Sequence, residues 1–198
     1  MNKFEKPNIK INRVYTRKGD RGNTYLIGGY KTSKDSLRVS AFGEIDELNA
    51  YVGNCVYSMN DAIYKKVKSD LLIIQHELFN LGNMLAVKPE DFVEGMPKID
   101  SASIDYLEDK IDFYNKKLPN LDSFVLPGGS ELNIKFHIAR TVCRRCERLV
   151  VKLSNVENIE GAIIAYLNRL SDLFFVMSRW SNYILEQKEI TWNPNYKK

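Results

Sequence analysis

The segment Thr16-Arg17-Lys18-Gly19-Asp20-Arg21-Gly22-Asn23-Thr24 gathers cations, hydroxyls and two glycines three positions apart. Glycines so placed let backbone N–H groups turn toward an anion, while the hydroxyls add donors and Arg and Lys add charge. The loop is not a Walker A motif, and Gly29-Tyr30-Lys31-Thr32 only approaches one, with a tyrosine between glycine and lysine. On composition alone a solvated hairpin turn is the better account of this loop, because short Gly-rich motifs arise readily by chance.

A second run is more informative. In Ala139-Arg140-Thr141-Val142-Cys143-Arg144-Arg145-Cys146-Glu147-Arg148, an advance of about 100° per residue puts Arg140, Arg144, Glu147 and Arg148 on one arc of a helix. Ile138, Val142, Leu149, Val150 and Leu153 fall opposite, so the core side is already assigned, and Arg145 lies at the edge. Guanidiniums at i, i+4 and i+8 repel one another unless anions neutralise them. A triphosphate, or carboxylates of a neighbouring subunit, would do so through charge-assisted bonds of about 1.5–3 kcal/mol each. A solvated face would be served equally by lysine, but this run uses arginine four times and lysine never. That favours bidentate recognition.

Two weaker signals lie elsewhere. In Asn168-Arg169-Leu170-Ser171-Asp172, helical spacing puts Asn168 and Asp172 on one face with Phe175 and Arg179, opposite Leu170, Phe174 and Met177. Asn168 and Asp172 suit a ribose or the orientation of an arginine, although a polar helix–helix contact explains them as well. Asp46, flanked by Glu44 and Glu47, is a natural partner for an arginine of the stripe, and by itself ordinary surface.

Other chemistries lack their parts. Cys143 and Cys146 form a single CxxC without two further zinc ligands nearby, and read as small buried hydrophobes. Neither His76 nor His137 follows a glutamate by three residues, as a di-iron bundle would require. No Gly-x-Ser-x-Gly occurs, so a hydrolase nucleophile has no support.

The elements that must position these residues are helices. Apolar residues recur every three or four positions over residues 44–59, 67–87, 103–117, 132–153 and 162–185. Breaks fall at Pro89, Gly95-Met96-Pro97, Pro119, Pro127-Gly128-Gly129 and residues 158–161. The pattern predicts an all-α, five-helix up-and-down bundle. We expect one domain, with residues 1–40 a polar arm laid against the bundle, 41–187 the bundle and 188–198 a tail.

Composition sets the outer limits. At 198 residues the chain supports one good core, with 44% hydrophobic and 27% charged residues, an ordinary soluble balance. The net charge of +4 suits an anionic substrate, and its 29 bases are interleaved with 25 acids rather than gathered for nucleic acid. The most apolar window, residues 71–87, is interrupted by His76, Glu77 and two asparagines, which argues against a membrane span. The N-terminus has no apolar stretch typical of a signal peptide. Three cysteines without framework spacing point to a reducing, cytoplasmic setting.

Taken in order, TRKGDRGNT, SKDSLRVSAFGEIDELNAYVG, FVLPGG, ARTVCRRCERLV and YLNRLSDLFFVMSRW resemble the propanediol-utilisation-type ATP:cob(I)alamin adenosyltransferases, from about Val14 to Leu185. The resemblance implies a homotrimer with ATP bound between adjacent subunits. It implies that Thr16, Arg17, Lys18, Gly19, Asp20, Gly22 and Thr24 wrap the triphosphate, with Tyr25 beside them and Lys34 following. Arg144, Arg145, Glu147, Arg148 and Asn168 fall on further nucleotide-binding positions. Asp46 and Arg140 fall on an intersubunit ion pair, and Phe124 on the aromatic that displaces the lower axial base of the corrinoid. Cys146 stands where a small residue such as Ala is common in the family.

The activity so implied is transfer of the 5′-deoxyadenosyl group of ATP to the cobalt of cob(I)alamin, with Mg²⁺ on the phosphates. A cob(II)alamin reductase and a B12-dependent enzyme are the partners it suggests. Two alternatives stand beside it: a non-catalytic bundle that binds ATP or corrinoid and delivers cofactor, and a nucleic-acid-binding module built on the basic stripe.

Overall fold

The computed structural model describes residue 12 and residues 14–196. Five long helices carry the fold: α1 (Leu37–Tyr57), α2 (Lys65–Ala86), α3 (Ser101–Asn115), α4 (Glu131–Ser154) and α5 (Gly161–Ile184). Two small antiparallel pairs accompany them. β1 (Asn23–Tyr25) pairs with β2 (Lys31–Ser33) ahead of α1, and β3 (Val125–Leu126) pairs with β4 (Ile190–Thr191) beyond α5. No described helix is long and apolar enough to cross a membrane.

Successive helices alternate in direction. Asn49 and Gln75 exchange side-chain to backbone bonds between α1 and α2, and Arg38 reaches Glu157 just past α4 while Arg145 reaches Glu44. α4 and α5 are likewise antiparallel, with Asn133 Nδ2 donating to the Ser178 carbonyl at 2.9 Å and Cys143 Sγ to that of Leu167 at 3.2 Å. The core between them is the apolar stripe foreseen from periodicity: Ile45, Leu48 and Val52 of α1, Leu71, Ile74, Leu78 and Leu81 of α2, and Leu170, Phe174 and Met177 of α5 are all buried.

Three sequence expectations need correction. The first helix starts at Leu37 rather than near residue 44, because Ser36 caps it, its hydroxyl accepting from the Val39 amide. The segment ahead of it is not simply a loop, since residues 23–33 form a hairpin. Ile138, assigned to the core side of α4, is 39% exposed, whereas Val142, Val150 and Leu153 are buried as expected. Residues 1–11, 13, 197 and 198 of the expected arm and tail lie outside the described residues.

Buried charge locks the bundle at two places the sequence did not mark. Arg38, 3% exposed, donates to both the Leu85 and Val87 carbonyls at the end of α2 and to Glu157 Oε2 at 2.6 Å. These bonds take up carbonyls that the helix end leaves unpaired. Asp70, 4% exposed, accepts from the hydroxyls of Tyr114 at 2.6 Å and Tyr106 at 2.9 Å and pairs with Lys110 at 3.1 Å, fastening α3 to α2. Burial opposes ionisation of Asp70, but the two hydroxyls and the ammonium overcome it and hold its carboxyl below the usual carboxylate range.

Candidate functional site

The arm forms a polar turn closed by its own backbone. Gly22, at φ 77°, donates to the Gly19 carbonyl, and the Lys34 amide donates back to the Gly22 carbonyl at 2.9 Å. The ammonium of Lys34 lies over Gly19, where even a methyl group would approach Nζ to 3.1 Å, so Lys34 and the glycine loop form one unit. Thr16, Arg17, Lys18 and Asp20 are exposed in the turn, and Thr24 and Tyr25 follow on β1. Arg17 takes a left-handed backbone (φ 62°), a conformation that costs a non-glycine residue about 1 kcal/mol. The hairpin is anchored where Ile27 donates to the Ala86 carbonyl at the end of α2.

On α4, Arg144 and Arg148 are exposed and Arg140 is half-buried. Burial and the nearby charge of Arg144 both work against the charge on Arg140, lowering its pKa, and its Nε is buried without a partner. Arg145 leaves the stripe. Its Nε meets Glu44 at 2.6 Å and its NH2 meets Glu47 at 2.8 Å, so the acids flanking Asp46 take the edge arginine while Asp46 stays exposed. Asn168 donates to Glu147 Oε1 at 3.1 Å, joining α5 to the arginine-bearing helix. Asp172 lies in a setting where burial raises its pKa against the opposing charges of Arg169 and Arg144. Among the described residues no hydrogen bond or ion pair joins the arm to Arg140, Arg144 or Arg148.

Phe124 stands beside α4 with 79% of its surface exposed, unusual for a large apolar ring. What holds it is the turn behind it. Gly128 donates to Asn133 Oδ1 at 2.9 Å and accepts from Asn182 Nδ2 at 2.8 Å, while Ser130 caps α4. Gly129, at φ 93°, passes so close to Asn182 that a methyl group there would come within 2.6 Å of its amide. Phe124, Phe175, Trp192, His137 and Arg140 border a cleft of 680 Å³. Arg140 therefore belongs to both the cleft and the arginine stripe.

Sequence reasoning missed two residues of this cleft. Trp192 belongs to the tail, and its ring meets Phe124 edge to face at 6.3 Å. His137 is 4% exposed. Ser178 Oγ spends its proton on the Phe175 carbonyl at 2.7 Å, so the His137 Nε2, 3.2 Å away, is the donor to Ser178. Nδ1 is buried without a partner, which disfavours a second, charged N–H there. Burial, reinforced by the charge of Arg140 and opposed by Glu189, pushes its pKa down to about 4. Arg179, assigned to a polar face, is 4% exposed and closes on Glu189 at 2.7 Å and the Pro119 carbonyl at 2.7 Å.

The family model of cobalamin adenosyltransferases matches residues 14–181. The chain belongs to the cobalamin adenosyltransferase family. It is 44% identical over 173 residues to the corrinoid adenosyltransferase of Bacillus subtilis, covering 86% of each chain. With the cobalamin adenosyltransferase of Cupriavidus metallidurans it shares 39% identity over 183 residues, 92% of this chain and 95% of the other. Among solved structures, a phenylalanine-to-alanine variant of a PduO-type ATP:corrinoid adenosyltransferase from Lactobacillus reuteri, complexed with cobalamin and ATP, superposes with a TM-score of 0.85 at 36% identity, covering 91% of this chain and 99% of that one. An arginine-to-lysine variant from the same organism, complexed with ATP, gives a TM-score of 0.84 at 36% identity over 91% of this chain and all of that one (100%). In this family member the cysteines at 143 and 146 are buried and free, and Cys146 Sγ donates to the Glu44 carbonyl, so it packs against α1 rather than facing the arginine stripe.

Proposed function

We propose that the protein transfers the 5′-deoxyadenosyl group of ATP to the cobalt of cob(I)alamin, releasing triphosphate. The observation that carries this reading is the position of Arg140, which borders the aromatic cleft and heads the Arg140–Arg144–Arg148 stripe. An apolar seat for a macrocycle and a cationic seat for a polyphosphate thereby adjoin, as transfer between the two requires. The relatives' names support the same activity, and one solved neighbour is described with cobalamin and ATP, the other with ATP.

The chemistry asks little acid–base work of the chain. The cobalt lone pair of cob(I)alamin attacks C5′ of ATP, a Co–C bond forms, and the C5′–O bond breaks with its electron pair leaving on triphosphate. The protein's part is to align the two and stabilise the leaving group. In our reading Arg144, Arg148, Lys34 and the arm residues Thr16, Arg17, Lys18, Gly19, Asp20, Gly22 and Thr24 hold the phosphates, with Tyr25 beside them, and Asn168 and Glu147 fix the arrangement. Phe124 fills the lower axial side of the corrinoid and keeps its base or a water from the metal. Mg²⁺ would ride on the nucleotide's phosphates.

We further propose a homotrimer with ATP between protomers. Among the described residues of one chain the arm and the arginines have no bond to each other, Asp46 is exposed, and the Nε of Arg140 is buried without a partner. An arm and an Asp46 from a neighbouring copy would supply what each lacks. A cob(II)alamin reductase is the partner such an enzyme needs, and the cytoplasm suits its three buried, free thiols.

The decisive experiment mixes purified protein with ATP, Mg²⁺ and chemically reduced cobalamin. Formation of adenosylcobalamin, followed in the visible spectrum, is the expected result. An unchanged spectrum would overturn the catalytic reading and leave a bundle that only binds.

A further inference from the structure

A second cleft, of 840 Å³, lies between the end of α3, the connection through residues 116–121, and α5. It meets the aromatic cleft directly, since Leu121 and Phe175 border both. Its walls are mixed. Ile111, Leu118 and Val176 offer apolar surface, Asn115 and Asn120 offer amides, and Lys116 offers an ammonium with no ion pair among the described residues. Arg169, also on this wall, is already engaged with Glu108 at 2.7 Å. Three acids line the cleft too: Arg169 holds Glu108 and lies 3.9 Å from Asp172, while Asp112 has no ion pair among the described residues. Arg179 is taken by Glu189, so Lys116 is the lining cation left for an anion, and with the apolar surface and the amides it suits an aromatic base on a sugar carrying a single phosphate charge.

We propose that this cleft receives the displaced nucleotide tail of a complete corrinoid. The inference rests on the adenosyltransferase reading and extends it. If Phe124 occupies the lower axial side, the base that would otherwise sit there has to leave, still tethered to the edge of the macrocycle by its sugar–phosphate chain. Leu121 lies three residues before Phe124 on the same segment, so the way out of the aromatic cleft past Leu121 and Phe175 opens into the second cleft. A base left in water would keep its apolar faces hydrated, whereas Ile111, Leu118 and Val176 would cover them. The phosphate would lie near Lys116 and the sugar hydroxyls near the two asparagines. The protein would thus favour the base-off substrate from both sides, by filling the vacated axial position and by holding what vacated it.

The test compares two corrinoids in steady state: cobalamin, which carries the tail, and cobinamide, which lacks it. Ile111→Trp fills the cleft and Lys116→Glu reverses its exposed charge, both outside the groups assigned to the phosphates and the macrocycle. For Ile111→Trp we expect the KM for cobalamin to rise about tenfold, equivalent to 1.4 kcal/mol, with kcat unchanged and the KM for cobinamide constant within about twofold. For Lys116→Glu we expect a rise of about fivefold with the same selectivity. Should the tryptophan variant fail to fold, the surface lysine variant reads the same difference alone. Equal shifts for both corrinoids, or no shift for either, would overturn the tail site. Failure of the unaltered protein to adenosylate either corrinoid would instead overturn the adenosyltransferase reading, and the tail site with it.

Discussion

The main-chain amide of Trp192 donates to the Phe124 carbonyl at 2.7 Å, and the two rings meet edge to face, 6.3 Å apart. A two-residue strand pair, Val125–Thr191 and Leu126–Ile190, continues this contact and ties the tail to the turn that presents Phe124. Phe124 is therefore an exposed ring on a braced backbone. If it acts as a wedge, removing the ring and removing its brace should differ in degree. Phe124→Ala should lower kcat for adenosylation by about a hundredfold, the scale of losing a well-placed active-site group. Trp192→Ala forfeits an aromatic pair of about 1 kcal/mol and should lower it about fivefold. Steady-state assays with cobalamin check both, and an unaffected Phe124→Ala would remove the wedge from the scheme.

Arg144 projects from α4 into solvent within the charge field of Arg140 and Asp172. Arg144→Ala should cut turnover by about 10²–10³, the usual cost of removing one preorganised donor from a developing anion. Because the residue is exposed, the core should be untouched and the variant should elute in gel filtration as the unaltered protein does. Wild-type turnover in this variant would displace the phosphate site from the stripe.

How far the sequence reached follows from the physics of each signal. Repeated apolar spacing is local, so all five helices and most of the α4 core face were legible in it. The start of α1 was not, because Ser36 caps it without a glutamate at the third helical position and leaves only a faint mark. Arg145 has the same spacing signal as its neighbours, and only the packing of α1 against α4 brings Glu44 and Glu47 to it. Trp192 and Arg179 depend on a tail that returns across the bundle, and such non-local pairing leaves no period to read. His137 carried a trace, a lone histidine among apolar residues one turn before Arg140, but its tautomer follows only from the proton that Ser178 gives to Phe175.

That tautomer gives a pH prediction. The ring of His137 is held neutral in the folded protein to about pH 4, whereas in the unfolded chain it takes up a proton below about 6.5. Between these values the unfolded state binds more protons, so this residue's contribution to stability is complete above pH 6.5 and is lost as pH falls toward 4. His137→Gln keeps a nitrogen to donate to Ser178 and cannot titrate. Thermal melts at steps from pH 7 to pH 4 should show a shallower decline in the variant than in the unaltered protein. Parallel curves would mean that the ring is not the group responsible.

The Arg38–Glu157 pair joins the start of α1 to the residues just after α4, and Arg38 also holds two carbonyls at the end of α2. The arm hairpin is anchored to that same end through Ile27 and Ala86. Glu157→Gln leaves a buried guanidinium with its two carbonyl partners but without its counter-charge. Half of the interaction survives, so the loss should be that of one charge-assisted hydrogen bond rather than of an isolated buried ion, about 2 kcal/mol in urea unfolding. Arg38→Met should cost more, because it also frees the Leu85 and Val87 carbonyls beneath the hairpin. If the arm takes its position from this end of the bundle, Arg38→Met should raise the KM for ATP as well, whereas Glu157→Gln should change stability alone. Equal KM values for both variants and the unaltered protein would show that the arm is placed independently of this anchor.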